Sequence, residues 1–152
     1  MTLQDQIIIE ARKFLNVVEQ PPGSNSNWGG PIVDWLAFVG IDYPASYCAA
    51  FASSMVHNAR VALGVSVSFN KSASALHLLS LNADLKTTDP QPGDLVIFDH
   101  GGGLGHVAIV TGPNTTIAGN TSPDGTSRNG TGVFEHSYDP QNPEIAGYIR
   151  VS

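Results

Sequence analysis

Cysteine is almost missing from this chain: Cys48 is the only one in 152 residues. A lone thiol excludes an intramolecular disulfide framework and any zinc site built from several cysteines. Basic residues are also few, seven against thirteen acidic ones for a formal net charge of −6, and they are scattered. A nucleic-acid surface needs a clustered basic face, and an anionic membrane needs the same, so neither partner is expected. No apolar run approaches the roughly 20 residues that cross a bilayer, and membrane insertion is not expected. Met1-Thr2-Leu3-Gln4-Asp5 has neither the basic nor the apolar region of a signal peptide.

What the chain does have is a change of period. From Leu3 to Val18 apolar residues recur at helical spacing, and Pro21-Pro22-Gly23 stops the run. A polar, glycine-rich loop with Trp28 follows, and Pro31 suits the first turn of a second helix, Ile32 to Val39, ended by Gly40. A third helix is predicted from near Tyr47 to Leu63 with Gly64 as its cap. A fourth runs from Ser72, as N-cap, to Leu81. After Pro92-Gly93 the pattern becomes strand-like: Asp94 to Phe98, His106 to Thr111, Thr115 to Ala118, Gly132 to His136 and Ile145 to Val151. Asn129-Gly130 is a turn signal between the third and fourth of these. Helices followed by strands predict an α+β fold, N-terminal helices on an antiparallel sheet of about five strands, with residues 1–152 as one domain.

Two residues stand out chemically. Cys48 falls in the first turn of the third helix, where unpaired N–H groups favour a thiolate and can hold an oxyanion. Without context, a lone cysteine is more often a small buried hydrophobe. His106 opens a strand just after Gly101-Gly102-Gly103-Leu104-Gly105, so a rigid element aims its imidazole beside a tight turn. Its plain reading is a hydrogen-bonding histidine at a sheet edge. The other histidines are weaker partners: His57 lies inside the third helix, His77 in a helical apolar stretch, His100 at a turn and His136 in a late strand. The glycine run lacks the helix and Lys-Ser/Thr of a phosphate loop and reads as a hairpin turn.

Three segments stand in order: Tyr47-Cys48-Ala49-Ala50-Phe51, Pro92-Gly93-Asp94-Leu95-Val96-Ile97-Phe98 and Gly105-His106-Val107-Ala108-Ile109-Val110. Together they resemble the CHAP branch of the NlpC/P60-like, papain-like cysteine peptidoglycan hydrolases. The resemblance covers about Asn16 to Arg150 and implies a hydrolase without cofactor that cleaves amide bonds in peptidoglycan. The bond is either the N-acetylmuramoyl–alanine link or one within the stem or cross-bridge peptide. It implies Cys48 as nucleophile, His106 as base, and Asn120, in a Gly-Asn pair, as the residue that orients the imidazole; the alternative for Asn120 is an ordinary turn residue.

The chain departs from relatives at Ala118, where many carry Glu, and in having only Asp42 ahead of the cysteine where calcium-binding members carry several Asp. One carboxylate cannot build an oxygen-rich site, so no bound metal is expected. Asn27, Trp28 and Tyr47 are candidates for a substrate groove, with core packing as the alternative for Trp28. Trp35 reads as core, and Asp34 and Asp99 as solvated carboxylates. Synthesis in the cytoplasm without a signal peptide is expected, with action at the wall or periplasm after lysis or dedicated secretion. An immunity protein would be a partner if the protein is a toxin. Two rivals stay open: an acyltransferase on the same fold, and a non-catalytic wall-binding or phage structural module.

Overall fold

The computed structural model describes residues 1–121 and 130–152. Four helices come first, α1 Leu3–Arg12, α2 Gly30–Phe38, α3 Cys48–Leu63 and α4 Ala75–Leu81. Six strands follow: β1 Lys86–Thr87, β2 Leu95–Gly101, β3 Leu104–Gly112, β4 Thr115–Thr121, β5 Gly132–Ser137 and β6 Ile145–Ile149. All pair antiparallel in the order β1-β6-β2-β3-β4-β5. The α+β expectation holds, with one strand more than expected. That strand, β1, is two residues long and too short to display a period.

Side chains alternate across the sheet and so divide the interior in two. Leu95, Ile97, Val107, Ile109 and Ile117 face the helices, packed with Ile7, Leu36, Phe51 and Met55. Val96, Phe98, Ala108, Val110, Ala118 and Tyr148 form a smaller cluster on the opposite face. Among the helices, α3 lies deepest: every residue from Cys48 to Val56 is buried. It ends at Gly64 with φ +66°, a backbone state that costs glycine nothing. Among the described residues, no helix is long and apolar enough to cross a membrane.

Three helices differ in their bounds from expectation, the first for a tertiary reason. The first helix stops at Arg12, not Val18. Asn16 turns to φ +68° and donates its N–H to Val133 O at 2.9 Å, Val17 O accepts from Val133 N–H at 2.8 Å, and Val18 bridges Gly132. Pairing with β5 thus overrides a helical pattern whose intrinsic preference is weak. The fourth helix is capped by Ser74, whose Oγ accepts from His77 N–H at 3.2 Å, while Ser72 Oγ accepts from Ser74 N–H instead. The second helix starts at Gly30 and ends at Phe38.

The glycine run is a hairpin, as read. Gly101 pairs Leu104, and Gly102 and Gly103 form the loop at φ +63° and +79°. Positive φ at both loop residues matches the right-handed twist of the flanking strands. Asn129, and with it the expected Asn129-Gly130 turn, lies outside the described residues.

Candidate active site

The β3–β4 ladder runs from Gly112↔Thr115 through Val110↔Thr116 to Ile109↔Ile117, and the paired register ends there. The start of α3 sits at this opening. Val107 N–H points to Cys48 Sγ, and Asn120 N–H points to the Tyr47 hydroxyl. Two backbone donors at the open end are therefore met by side chains from the helix start. Gly119 lets the helix come this close: a Cβ there would lie 2.9 Å from Phe51 Cβ and 3.2 Å from Tyr47 Cδ2.

Cys48 is 7% exposed. Its own N–H and that of Ala49 turn toward the sulfur, and Tyr47, the N-cap, offers them no side-chain acceptor. These dipoles favour a thiolate by about 0.3–1 kcal/mol at a helix start. Desolvation of a buried thiol acts the other way and is the larger effect here. Burial wins, and the thiol is pushed up from its ordinary value.

His106 pairs Phe98 across β2–β3, with ring centroids 6.1 Å apart. It immediately precedes Val107, the residue whose N–H meets the sulfur. His106 and Asn120 each lie three residues beyond the last paired positions, Ile109 and Ile117. Burial, with His100 and His136 nearby, pushes the imidazole down to about 4. At neutral pH the imidazole is therefore uncharged and the Cys48 thiol protonated.

Asn120 is 4% exposed, at φ +53°, where the β4–β5 register slips between Ala118 and Thr121. Its Oδ1 is buried with no hydrogen-bond partner among the described residues. A side-chain amide oxygen held in this way can accept from an imidazole N–H. His136 braces the next residue, with Nε2 3.1 Å from Thr121 Oγ1.

The expected groove residues divide. Asn27 is at φ +57° and donates its N–H to Glu19 Oε1 at 2.7 Å. Trp28 is partly buried and packs against the main core. Tyr47, read as a groove wall, offers no surface: it is 0% exposed, and its hydroxyl donates to Glu19 Oε2 at 2.9 Å. Trp35 is core, edge-on to Phe14 and Phe51. Asp99 caps the hairpin by accepting from Gly101 N–H at 2.9 Å. Asp34 and His57 line a separate open groove of about 330 Å³ with Phe14, Trp35, Phe38 and Ser54. Among the described residues no cluster of three His, Cys, Asp or Glu could hold a metal ion.

Of three buried carboxylates among the described residues, Glu10, Glu19 and Asp94, none was given a role from the sequence, and the last two matter here. Asp94 carries Arg150 on both oxygens, Nε at 3.0 Å and Nη2 at 2.9 Å, and its place in Pro92-Gly93-Asp94 was a usable signal. Glu19 had none, because its partners are far along the chain.

The CHAP domain family matches residues 38–121, more than half of the chain. The chain belongs to the CHAP domain family. No curated protein matches it. The part that matches the CHAP domain contains Cys48, His106 and Asn120, whereas Glu19, Asn27 and Trp28 precede it. The family implies a peptidoglycan hydrolase or amidase-type function.

Proposed function

We infer that this CHAP domain is a cysteine hydrolase of bacterial peptidoglycan, cleaving either the N-acetylmuramoyl–L-alanine amide or an amide of the stem or cross-bridge peptide. The observation that carries the reading is the helix start set into the open end of β3–β4. There the Val107 N–H, next in sequence to His106, faces Cys48 Sγ, and Asn120 lies three residues beyond the last β3–β4 pair with its buried Oδ1 unpaired among the described residues.

Cys48 Sγ attacks the amide carbonyl as His106 takes the thiol proton, so a carbon–sulfur bond forms while the carbonyl π pair moves to oxygen. The Cys48 backbone N–H, at the unshared end of α3, stabilises that oxyanion. His106 then gives its proton to the leaving amine, and the carbon–nitrogen bond breaks to leave a thioester. Water, deprotonated by His106, attacks the thioester and releases the acid and the free thiol. Asn120 Oδ1, without a partner among the described residues, would accept from the other imidazole nitrogen during the reaction and so keep the ring in one tautomer. On this reading the protein acts at the wall or in the periplasm, reached by lysis or dedicated secretion.

The test is incubation of wild type and Cys48→Ala with purified peptidoglycan, followed by mass spectrometry of the soluble products. Wild type is expected to release fragments whose new termini name the bond, and the variant none. Absence of release by wild type from walls of several bacterial chemotypes would overturn the assignment.

A further inference from the structure

Glu19 is an unusual group to find inside a protein. It is 0% exposed, and among the described residues no Lys, Arg or His lies within ion-pair distance of it. Burying a carboxylate costs several kcal/mol unless donors satisfy it. Here the donors are Asn27 N–H at 2.7 Å and the Tyr47 hydroxyl at 2.9 Å. A carboxylate only accepts, so the Tyr47 proton must point to Glu19. That leaves the phenol oxygen free to accept, and the Asn120 N–H faces it. Glu19's own N–H anchors the other side, donating to Thr131 O at 2.8 Å just before β5.

The link joins the places where the backbone is least ordinary. Of the three non-glycine residues at positive φ among the described residues, Asn27 and Asn120 are the two whose N–H groups face Glu19 or Tyr47. Such conformations persist only where surrounding contacts hold them. Tyr47 also directly precedes Cys48, so one carboxylate ties together the helix start, the β4 kink and the loop that carries Trp28.

We propose that Glu19 is a positioning residue: through the Tyr47 hydroxyl it holds Asn120 in place for His106, and through Asn27 N–H it seats the 20–29 loop beside the same point. The proposal deepens the hydrolase reading and rests on it. The direction of the link matters more than its strength. In Glu19→Gln the side chain keeps its size, but its amide NH₂ would have to donate to Tyr47 or to meet the Asn27 N–H head-on, so one of the two connections reverses or breaks.

The test uses Glu19→Gln and Tyr47→Phe in the full chain, with two kinds of readout. NMR of ¹⁵N-labelled protein follows the Asn120 backbone amide and the imidazole nitrogens of His106, and needs no substrate. Wild type is expected to show one imidazole tautomer and a protected Asn120 amide; both variants are expected to lose that protection and to mix tautomers, and Asn120→Ala is expected to mix tautomers likewise. Fragment release from purified peptidoglycan at saturation is expected to fall between about ten- and a hundredfold, and Glu19→Gln is expected to add little to Asn120→Ala. Should Glu19→Gln fail to fold, Tyr47→Phe carries the same test, since it leaves the Asn27 contact in place. An unchanged Asn120 amide and His106 tautomer in folded Tyr47→Phe overturns the proposal. Loss of the hydrolase reading is a separate outcome, seen as absent release by wild type.

Discussion

Strands β3 and β4 are paired at one end and open at the other, and the two ends do different things. At the paired end Ile109 and Ile117 are both 0% exposed, part of the core beneath the helices. Asp94 strengthens this end: Val110 N–H donates to Asp94 O at 2.8 Å, Gly93 N–H donates to Val110 O at 2.7 Å, and the Asp94 carboxylate grips Arg150. At the open end the Val107 N–H faces Cys48 Sγ and the Asn120 N–H faces the Tyr47 hydroxyl instead. Asn120 there keeps an unmet buried acceptor. The buried core and the proposed catalytic residues thus sit about three residues apart on the same strands. A rigid ladder aims the groups that its unpaired continuation exposes to one another.

That contrast can be broken from either end. The largest effect is expected from His106→Ala: release of wall fragments falls by roughly 10³-fold or more, as for other members of a nucleophile–base unit, while the melting temperature shifts little. Release near the wild-type rate would mean that the open end is not the catalytic end. Next comes Ile117→Ala, expected to cost about 2–5 kcal/mol in denaturant unfolding yet to keep its activity per folded molecule. If that activity collapses too, the two ends are not separable. Asp94→Asn should cost less, about 1–3 kcal/mol, because Arg150 is 37% exposed and water already screens part of the pair; equilibrium unfolding would register it.

The smallest effect sharpens the comparison through pH. Folding lowers the His106 pKa from 6.5 to about 4, so between those values the unfolded chain binds more protons. This contribution to stability is fully present above pH 6.5 and is lost as pH falls toward about 4. His106→Gln should flatten that part of the stability–pH curve, whereas Ile117→Ala should lower the whole curve without changing its slope there. Parallel curves for wild type and His106→Gln would mean that the imidazole is not desolvated in the fold.

Much of the site was legible in one dimension because its elements are local. A cysteine at a helix start, a histidine after a two-glycine turn and a Gly-Asn pair at a strand's end each carry their geometry within a few residues. The same holds for Gly64 at the helix end and for the change of period after Pro92-Gly93. What was not legible depends on partners distant in sequence. Residues 16–18 have helical spacing, yet Val133 and Gly132 recruit them as an edge. Tyr47 reads as a groove aromatic until Glu19, 28 residues earlier, is found on its hydroxyl.

By itself the sequence determined the α+β class, the helix that presents Cys48 and the strand that presents His106, since periodicity, turn chemistry and capping act over a few residues. Only the tertiary structure decided where the β3–β4 ladder stops, that the start of α3 fills the gap, and that a buried Glu19 ties the three together. Those outcomes depend on which donors are left unpaired once the chain is packed, and a buried polar group finds its partner by proximity in space, whatever the separation along the chain.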